Sequence, residues 1–535
     1  MSVLAAAVRF WGIGEGEFWF DENCTFYIVH HLFDWPADGP DPLREVAHLP
    51  YFLLLNLWTG IVGETILGMR SFSALIGILG VFVLGLLGAR LGGHRVGLTA
   101  AVLAAFNPLQ VHYSQEARGY TTWLLAVTLC IYCLYKAADT LNKRWWLVYV
   151  IVAWLTVLTH YFTLAWFFGT IGGVLIAGDH RRYLRQWLVA HAVLALALLP
   201  VIWFLVIPLS EGGPKPWFRE MWAAFPPSLA VLKSIWAMLP AGGYPAYLGS
   251  LAVAEDAVSL EWGALLAFIA RWMPITVVIC VVVLPSVRRR PTEPPVSQGR
   301  TRTIGFLVIL SLAYLLTSFT HSWLWEPTYI VGRFDLAAWP SLLLAVAFLI
   351  ERAAVSLSTK CGRQAGVRWG LTVVLLLCSG IVLVGMRFAA VPNDSKQRAR
   401  KIAHTVGPDD LVISLGEYKL FVLHEWHQLD FQAEVISFPP RHDRQLCWYD
   451  ADAELADPEG IERGVSDVAH RIEEALAHRR RVWLLVPGDP TGARWEVDRK
   501  LFTRLAELGV DVQPVDQALG LGRIVLVDPA QEMPR

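Results

Sequence analysis

Two adjacent carboxylates, Asp21 and Glu22, lie near the start of the sequence in the stretch WFDENCTFYIVHH. A carboxylate can act as a general base, or bind a cation, when it lies beside a reacting group. The residues around this pair are largely aromatic and apolar. The simpler interpretation is that the pair lies in a solvent-exposed loop. The placement of the other polar groups has to distinguish this loop from a functional site.

Further polar groups occur where long apolar segments end. They are His48, the residues His112, Tyr113, Glu116, Arg118 and Tyr120 of NPLQVHYSQEARGY, the pair His160 and Tyr161, and Arg333 of GRFDLAAWP. Arginine suits bidentate binding of a phosphate. Taken singly, such arginines and tyrosines are also ordinary at a membrane boundary, and Glu116 could simply pair with Arg118. Convergence of the groups on one face would indicate a substrate site.

Composition predicts a membrane protein. The chain has 535 residues, of which 55% are hydrophobic and only 17% are charged, against about 25% charged in typical soluble domains. The charged residues are sparse up to about residue 390 and dense after it. We therefore predict a transmembrane domain over 1–390 and a soluble domain over 391–535. The net charge of −1 argues against nucleic acid as a partner.

The apolar segments predict a polytopic α-helical architecture, because a helix needs roughly 20 apolar residues to cross the bilayer. The candidate spans are 70–89, 96–112, 119–137, 145–160, 162–178, 186–208, 264–286, 304–320, 334–351 and 369–388. Residues 1–11 are apolar but cover only about half of the membrane. We therefore expect the true N-terminus of the protein upstream of Met1, and about 11 transmembrane helices in all. Residues 49–63 are short enough to lie at the interface instead.

The basic residues orient these spans. Seventeen Lys and Arg residues fall in one set of connections and six in the opposite set. Since the richer side is cytoplasmic, the acidic pair, the polar groups above and the C-terminal domain all face outward. In that domain, strands alternate with helices and predict an α/β fold with a largely parallel sheet. No Gly-rich phosphate motif follows a predicted strand, which argues against a nucleotide site.

The order of these motifs resembles the bacterial branch of glycosyltransferase family 39, over roughly residues 1–390. The resemblance rests on Asp21-Glu22, LPYFLLLNLW, GETILGMRSFSALIG, NPLQVHYSQEARGY and GRFDLAAWP. This family has the GT-C fold and is related to the protein O-mannosyltransferases and the lipid A aminoarabinose transferase. The resemblance implies an inverting transferase in the bacterial cytoplasmic (inner) membrane. Its donor would be a polyprenyl-phosphate sugar, and its acceptor a hydroxyl of a lipid, glycan or protein on the outer face.

The resemblance also implies roles for individual residues. Asp21 would be the general base and Glu22 its neighbour, while Glu116 falls where the fold class has a second acidic motif. Arg118 and Arg333 would bind the donor phosphate. The remaining candidates for the substrate pocket are His48, Tyr113, Tyr120, His160 and Tyr161. The sequence departs from the family pattern at Leu49, where a proline is usual, and at Phe334, where a tyrosine is usual.

The chemistry requires no cofactor, although the acidic residues could hold a divalent cation. A transporter or flippase of lipid-linked or small polar substrates is the main alternative function. It would place ionisable residues near helix midpoints, whereas the charges here cluster at predicted helix ends. A GT-C enzyme with a different donor and a catalytically inactive scaffold are further alternatives. The sequence leaves the sugar, the acceptor and the oligomeric state open.

Overall fold

The computed structural model describes residues 2–34, 48–167, 170, 183–203, 230–239, 295–324, 329–361, 364–388, 395–416, 418–440, 454–486, 493–516 and 521–526. The predicted span at 264–286 and parts of the predicted spans at 162–178 and 186–208 lie outside the described residues. The chain forms two compact units. The helical unit comprises Met1–Ile13 and Ala47–Val391, and the sheet unit comprises Gly14–Val46 and Pro392–Arg535.

The first 390 residues are helical wherever the structure describes regular elements. The helices are α1 (Ser2–Phe10), α2 (Phe20–His30), α3 (Leu49–Val62), α4 (Ile66–Gly92), α5 (His94–Ala105), α6 (Pro108–Ser114), α7 (Tyr120–Thr140), α8 (Lys143–Thr159), α9 (Leu184–Val201), α10 (Ala230–Met238), α11 (Pro295–Leu324), α12 (Trp339–Cys361) and α13 (Gln364–Phe388). A short 3₁₀ turn, Leu336–Ala338, leads into α12. Of these helices, only α2 belongs to the sheet unit.

Five segments among the described residues are long and apolar enough to cross a membrane. They are Ile66–Gly92, Tyr120–Thr140, Leu184–Val201, Thr303–Leu324 and Leu336–Val355. Each coincides with a span predicted from the sequence. Helix α3 has 14 residues, or about 21 Å of length, and is too short to cross, as its sequence predicted.

One predicted span is wrong in its continuity. The segment 96–112 forms two helices, because Asn107 interrupts α5 and starts α6. The Asn107 side chain accepts a hydrogen bond from the Gln110 N–H at 3.1 Å, and Pro108 occupies the first helical position. An asparagine cap followed by proline is a typical helix start. The polar motif from Asn107 onward therefore follows a break between two short helices.

Small residues allow α4 and α5 to approach each other closely. A Cβ atom on Gly97 would lie 2.5 Å from the Gly85 carbonyl oxygen and 2.7 Å from the Ala89 Cβ. Helix packing in membranes commonly depends on such contacts between small residues. Large aromatic side chains, including Trp123 and Tyr149, fill the rest of this core.

The C-terminal part of the sheet unit is an α/β fold. Its elements are α14 (Ser395–Thr405), β1 (Leu411–Leu415), α15 (Tyr418–Gln428), β2 (Glu434–Phe438), α16 (Pro458–Ala477), β3 (Val482–Leu485), α17 (Ala493–Glu507), β4 (Val510–Asp516) and β5 (Leu521–Leu526). Alternate residues of β1 enter two cores: Ile413 packs with α16 and α17, and Val412 with α14 and α15. Helices thus cover both faces of the sheet.

The sheet is mixed, so the prediction of a largely parallel sheet was wrong. The strand order is β2-β1-β3-β5-β4. Strand β1 is parallel to β2 and β3, whereas β5 is antiparallel to both β3 and β4. Only a short connection joins β4 to β5, and a parallel pair needs a crossover of about a dozen residues. The length of this connection therefore requires the antiparallel pairing.

The close contact between α4 and α5 leads to a stability prediction. We expect Gly97→Ala to lower the free energy of unfolding by about 1–3 kcal/mol, since the added methyl group meets backbone atoms that cannot move away. Gly80→Ala is the matched control in α4, because its Cβ would meet nothing closer than Gln110 Nε2 at 3.6 Å. Thermal unfolding in detergent measures both variants. Equal midpoints for the two would contradict the packing described here.

Candidate functional site

The ten predicted site residues divide between the two units. Asp21 and Glu22 belong to the sheet unit. The other residues belong to the helical unit; they are His48, Tyr113, Glu116, Arg118, Tyr120, His160, Tyr161 and Arg333.

A tight turn before α12 carries Arg333. Gly332 has a positive φ of 76°, a conformation that glycine adopts without steric cost. Its N–H donates to the Asp335 carboxylate at 2.9 Å, and its carbonyl accepts a hydrogen bond from the Tyr113 hydroxyl. Asp335 and Tyr113 are both buried. The N–H and the carbonyl of Gly332 are therefore both hydrogen bonded. These bonds fix the orientation of the turn and so the direction in which Arg333 leaves it.

The Arg333 side chain contacts Tyr120 at the start of α7. Its Nε donates to the Tyr120 hydroxyl at 2.5 Å, and the guanidinium carbon lies 5.8 Å from the centre of the tyrosine ring. The Tyr120 ring packs against Tyr113, with centroids 4.4 Å apart. Tyr113 thus supports Arg333 in two ways, through the glycine carbonyl and through Tyr120. A guanidinium has five N–H donors, and the bond to Tyr120 uses one of them.

His160 lies directly after α8 and is only 1% exposed. Its ring stacks on Trp123, with centroids 3.9 Å apart and an interplanar angle of 13°. The His48 ring lies 5.0 Å away, and His48 Nδ1–H donates to the Thr159 carbonyl at 2.6 Å. Within the described part of the chain, the buried His160 Nδ1 has no hydrogen-bond partner. It is a polar atom positioned to hydrogen bond a ligand or a water molecule.

Arg118 and Arg333 both lie near enough to His160 to affect its pKa. Burial lowers the pKa of His160 well below its ordinary value. The neighbouring charges that lower this pKa further are those of His48, Arg333 and Arg118. The imidazole is therefore neutral at pH 7. Two arginines and a neutral, buried hydrogen-bonding group make this cluster suited to binding an anion.

Tyr161 extends the aromatic surface around His160. Its ring lies 5.6 Å from the imidazole and 4.7 Å from Phe162. Phe162 in turn stacks on Phe334, with ring centroids 4.7 Å apart and nearly parallel planes. The phenylalanine that departs from the family pattern at position 334 is thus part of an aromatic stack rather than a hydrogen-bonding group.

The carboxylate of Glu116 contacts His112, whereas the sequence suggested a pair with Arg118. His112, one helical turn earlier, places its Nε2 3.1 Å from Glu116 Oε1. The other carboxylate oxygen is buried and finds no hydrogen-bond partner among the residues that the structure describes. His112 is one of the polar groups that the sequence places in this loop, although no role was predicted for it; its spacing of four residues from Glu116 is a local signal for this contact. Arg118 follows in the same loop, and its carbonyl accepts from Ser73 Oγ at 3.4 Å.

Asp21 and Glu22 lie in the first turn of α2, so the expected loop is a helix. Glu22 is fully buried, and its Oε2 accepts a hydrogen bond from the Trp19 N–H at 3.4 Å. An acidic residue that bonds back to the N–H preceding its helix is typical of a capping interaction. Asp21 is half-buried at the second helical position. The pair is therefore divided: Glu22 stabilises the helix start, and Asp21 is carried by it.

Comparison with known proteins agrees with the predicted fold. Residues 49–206 match the family model described as dolichyl-phosphate-mannose-protein mannosyltransferase, and no curated protein sequence matches the chain. Two crystal structures of ArnT from Cupriavidus metallidurans are similar over 98% of this chain and 98% of theirs, at 11% identity. The TM-score is 0.52 for the apo state and 0.53 for the structure bound to undecaprenyl phosphate.

These comparisons confirm two predictions from the sequence. The chain is a polytopic helical protein with the GT-C fold, and its resemblance to the mannosyltransferases is reproduced by the family model over residues 49–206. At 11% identity, the likeness to ArnT concerns the fold alone, because one fold supports many functions.

The contacts of Gly332 give a testable prediction about the turn that carries Arg333. We expect Asp335→Leu to cost about 1–3 kcal/mol of stability, because the buried Gly332 N–H would lose its acceptor. Asp335→Asn keeps an acceptor oxygen and should retain most of that stability. Thermal unfolding in detergent distinguishes the variants. If Asp335→Leu unfolds at the wild-type temperature, the carboxylate does not hold the turn.

Proposed function

We propose that this protein is an inverting membrane glycosyltransferase that moves a sugar from a polyprenyl-phosphate donor to an acceptor hydroxyl. The observation that carries the proposal is the cluster of Arg118, Arg333 and neutral His160 at the ends of membrane helices. Charged groups beside an apolar core are costly to maintain and are usually retained for function. An anion anchored at the membrane boundary is the ligand that such a cluster fits.

The comparisons support a lipid-linked donor of this class. The matching family model is described by a dolichyl-phosphate-mannose donor, and one of the similar ArnT structures holds undecaprenyl phosphate. Both compounds are polyprenyl phosphates, with an apolar tail and an anionic headgroup. A protein with membrane-spanning helices and arginines at their ends can accommodate both parts of such a molecule.

In the proposed reaction, the acceptor oxygen attacks the anomeric carbon as the bond from that carbon to the phosphate oxygen breaks. Negative charge then develops on the leaving polyprenyl phosphate. Arg118 and Arg333 would stabilise this charge, which grows in the transition state and so lowers the barrier. The residues proposed to surround the sugar and phosphate are His48, Tyr113, Tyr120, His160 and Tyr161.

Asp21 is proposed as the base that accepts the proton of the acceptor hydroxyl. This role rests on the sequence resemblance, and the carboxylate is half-buried in the first turn of α2. Glu22 would act through the helix that it caps rather than on the substrate. Glu116, with His112 beside it, would be a second acidic site. The acidic residues Asp21, Glu22 and Glu116 could contribute ligands to a divalent cation, which the departure of a phosphate does not require.

The excess of Lys and Arg in the opposite connections supports an outward-facing site on the bacterial cytoplasmic membrane. Transfer would then use a donor whose headgroup is exposed outside, and an acceptor from the cell envelope. A panel of polyprenyl-phosphate mannose, glucose and arabinose, offered with lipid, glycan and peptide acceptors, would identify the pair of substrates.

The role of Arg333 can be tested by transfer from such a donor. We expect Arg333→Ala to lower kcat by about 10²–10³, because one donor to the developing charge is lost. Arg90→Ala is the control: it also removes an arginine, but one that pairs with Asp139 at 2.7 Å. Initial rates in detergent or proteoliposomes give kcat and KM. An Arg333→Ala variant with wild-type kcat would exclude Arg333 from charge stabilisation.

The role of Asp21 can be tested against its neighbour. Asp21→Asn should lower kcat by about 10²–10⁴, the usual contribution of a general base, while the donor KM changes little. Glu22→Gln should keep most activity, since glutamine can also accept the capping hydrogen bond. Full activity in Asp21→Asn would rule out this base assignment. If both variants lose activity to the same extent, the loss is explained by a disturbed helix α2 rather than by a missing base.

A further inference from the structure

Helix α2, which carries Asp21, packs against α15 within the sheet unit. The two helices are about four hundred residues apart along the chain. The backbone N–H of His424 in α15 donates to the Asn23 side-chain oxygen in α2 at 3.1 Å. Both residues are buried. A buried hydrogen bond of this kind is costly to break, because the buried Asn23 oxygen would lose its donor from α15.

Asn23 links three parts of the chain. While its oxygen accepts from α15, its Nδ2 donates to the carbonyls of Phe18 and Trp19, each at 3.3 Å. These carbonyls belong to the residues that lead into α2. One buried amide thus ties both the helix and its entry to α15, on either side of Asp21.

The His424 ring adds apolar contacts around the same point. It lies 4.5 Å from the ring of Phe18 and 5.1 Å, edge to face, from the ring of Phe26. Phe18 precedes Asp21 and Phe26 follows it. A second pair, Phe20 and Phe421, has ring centroids 5.4 Å apart. Contacts from α15 therefore bracket the acidic residue along the chain.

Neighbouring groups hold His424 and the residues before α2. His424 Nδ1 lies 3.6 Å from Glu425 Oε1, and the nearby His424 side chain lowers the pKa of the Glu425 carboxyl. The backbone N–H of Lys396, at the start of α14, donates to Glu17 Oε2 at 2.9 Å. Helix α14 itself packs into the sheet core through Ala399 and Ile402. The segment that contains Asp21 is thus anchored to the α/β fold at several points.

We propose that the C-terminal α/β fold positions the general base, with Asn23 and His424 as the positioning residues. The catalytic part of this inference rests on the proposed function, whereas the docking of α2 on α15 does not. A base must lie within hydrogen-bonding distance of its proton, and a displacement of about 1 Å can cost about 10²-fold in rate. The C-terminal fold is then part of the catalytic apparatus.

The first test measures the docking itself, without any transfer reaction. Hydrogen exchange of the α2 amides is compared between the full-length wild type, Asn23→Ala and His424→Ala. We expect faster exchange in α2 for both variants, because the contacts that protect the helix are lost. His424→Phe keeps an aromatic ring against Phe18 and Phe26 and should restore protection. Unchanged exchange in both alanine variants would overturn the proposal.

A control variant separates docking from general loss of stability. Ile472→Ala removes a fully buried side chain from the other face of the sheet, in α16. It should destabilise the α/β fold and leave α2 exchange and kcat close to wild type. If Ile472→Ala lowers kcat as much as His424→Ala does, the effect is one of overall stability and the positioning role is wrong.

The second test measures transfer. His424→Ala should lower kcat at least about tenfold with little change in donor KM, and His424→Phe should recover most of the loss. Because the effect acts through Asp21, the His424→Ala substitution should lower kcat much less in the Asp21→Asn variant than in the wild type. The inference is overturned if the two substitutions lower kcat additively. It is also overturned if a variant whose α2 amides exchange faster keeps the wild-type kcat. A wild-type protein that transfers no sugar would instead count against the proposed function and leave the exchange result standing.

Discussion

Two hydrogen bonds of Gly332 hold the turn that presents Arg333 in the helical unit. The Asp335 carboxylate accepts from its N–H, and the Tyr113 hydroxyl donates to its carbonyl. A buried backbone group without a partner costs as much as a lost hydrogen bond, so these bonds leave the turn little freedom. Arg333 follows from this turn and reaches Tyr120, whose ring rests on Tyr113. Positions more than two hundred residues apart along the chain are thereby brought to one place.

The same part of the helical unit shows how polar groups are maintained beside an apolar core. His160 is kept neutral by burial and by nearby positive charge, and it stacks on Trp123. A neutral imidazole can be buried at a much smaller cost than a charged one. The arginines remain half-buried at helix ends, where an anionic headgroup can meet them. The arrangement favours an anion over a cation, in keeping with a phosphate donor.

The sheet unit depends on a different constraint. Its α/β fold includes a helix from the beginning of the chain, held by a buried amide and by aromatic contacts. The helix that carries Asp21 is packed within this unit, so the contacts between α2 and α15 determine where the acidic residue lies on the α/β fold.

The amino-acid sequence by itself determined the elements whose signal is local. Apolar length predicted the five long spans, and the alternation of strands with helices predicted the α/β character of the C-terminal part of the chain. The break at Asn107-Pro108 also had a local signal that apolar length obscured. Only the tertiary structure decided the antiparallel placement of β5, the role of Asp335, and the packing of α2 on α15. These features depend on which distant groups satisfy one another's hydrogen bonds and fill one another's contacts, and no local pattern in a single sequence contains that information.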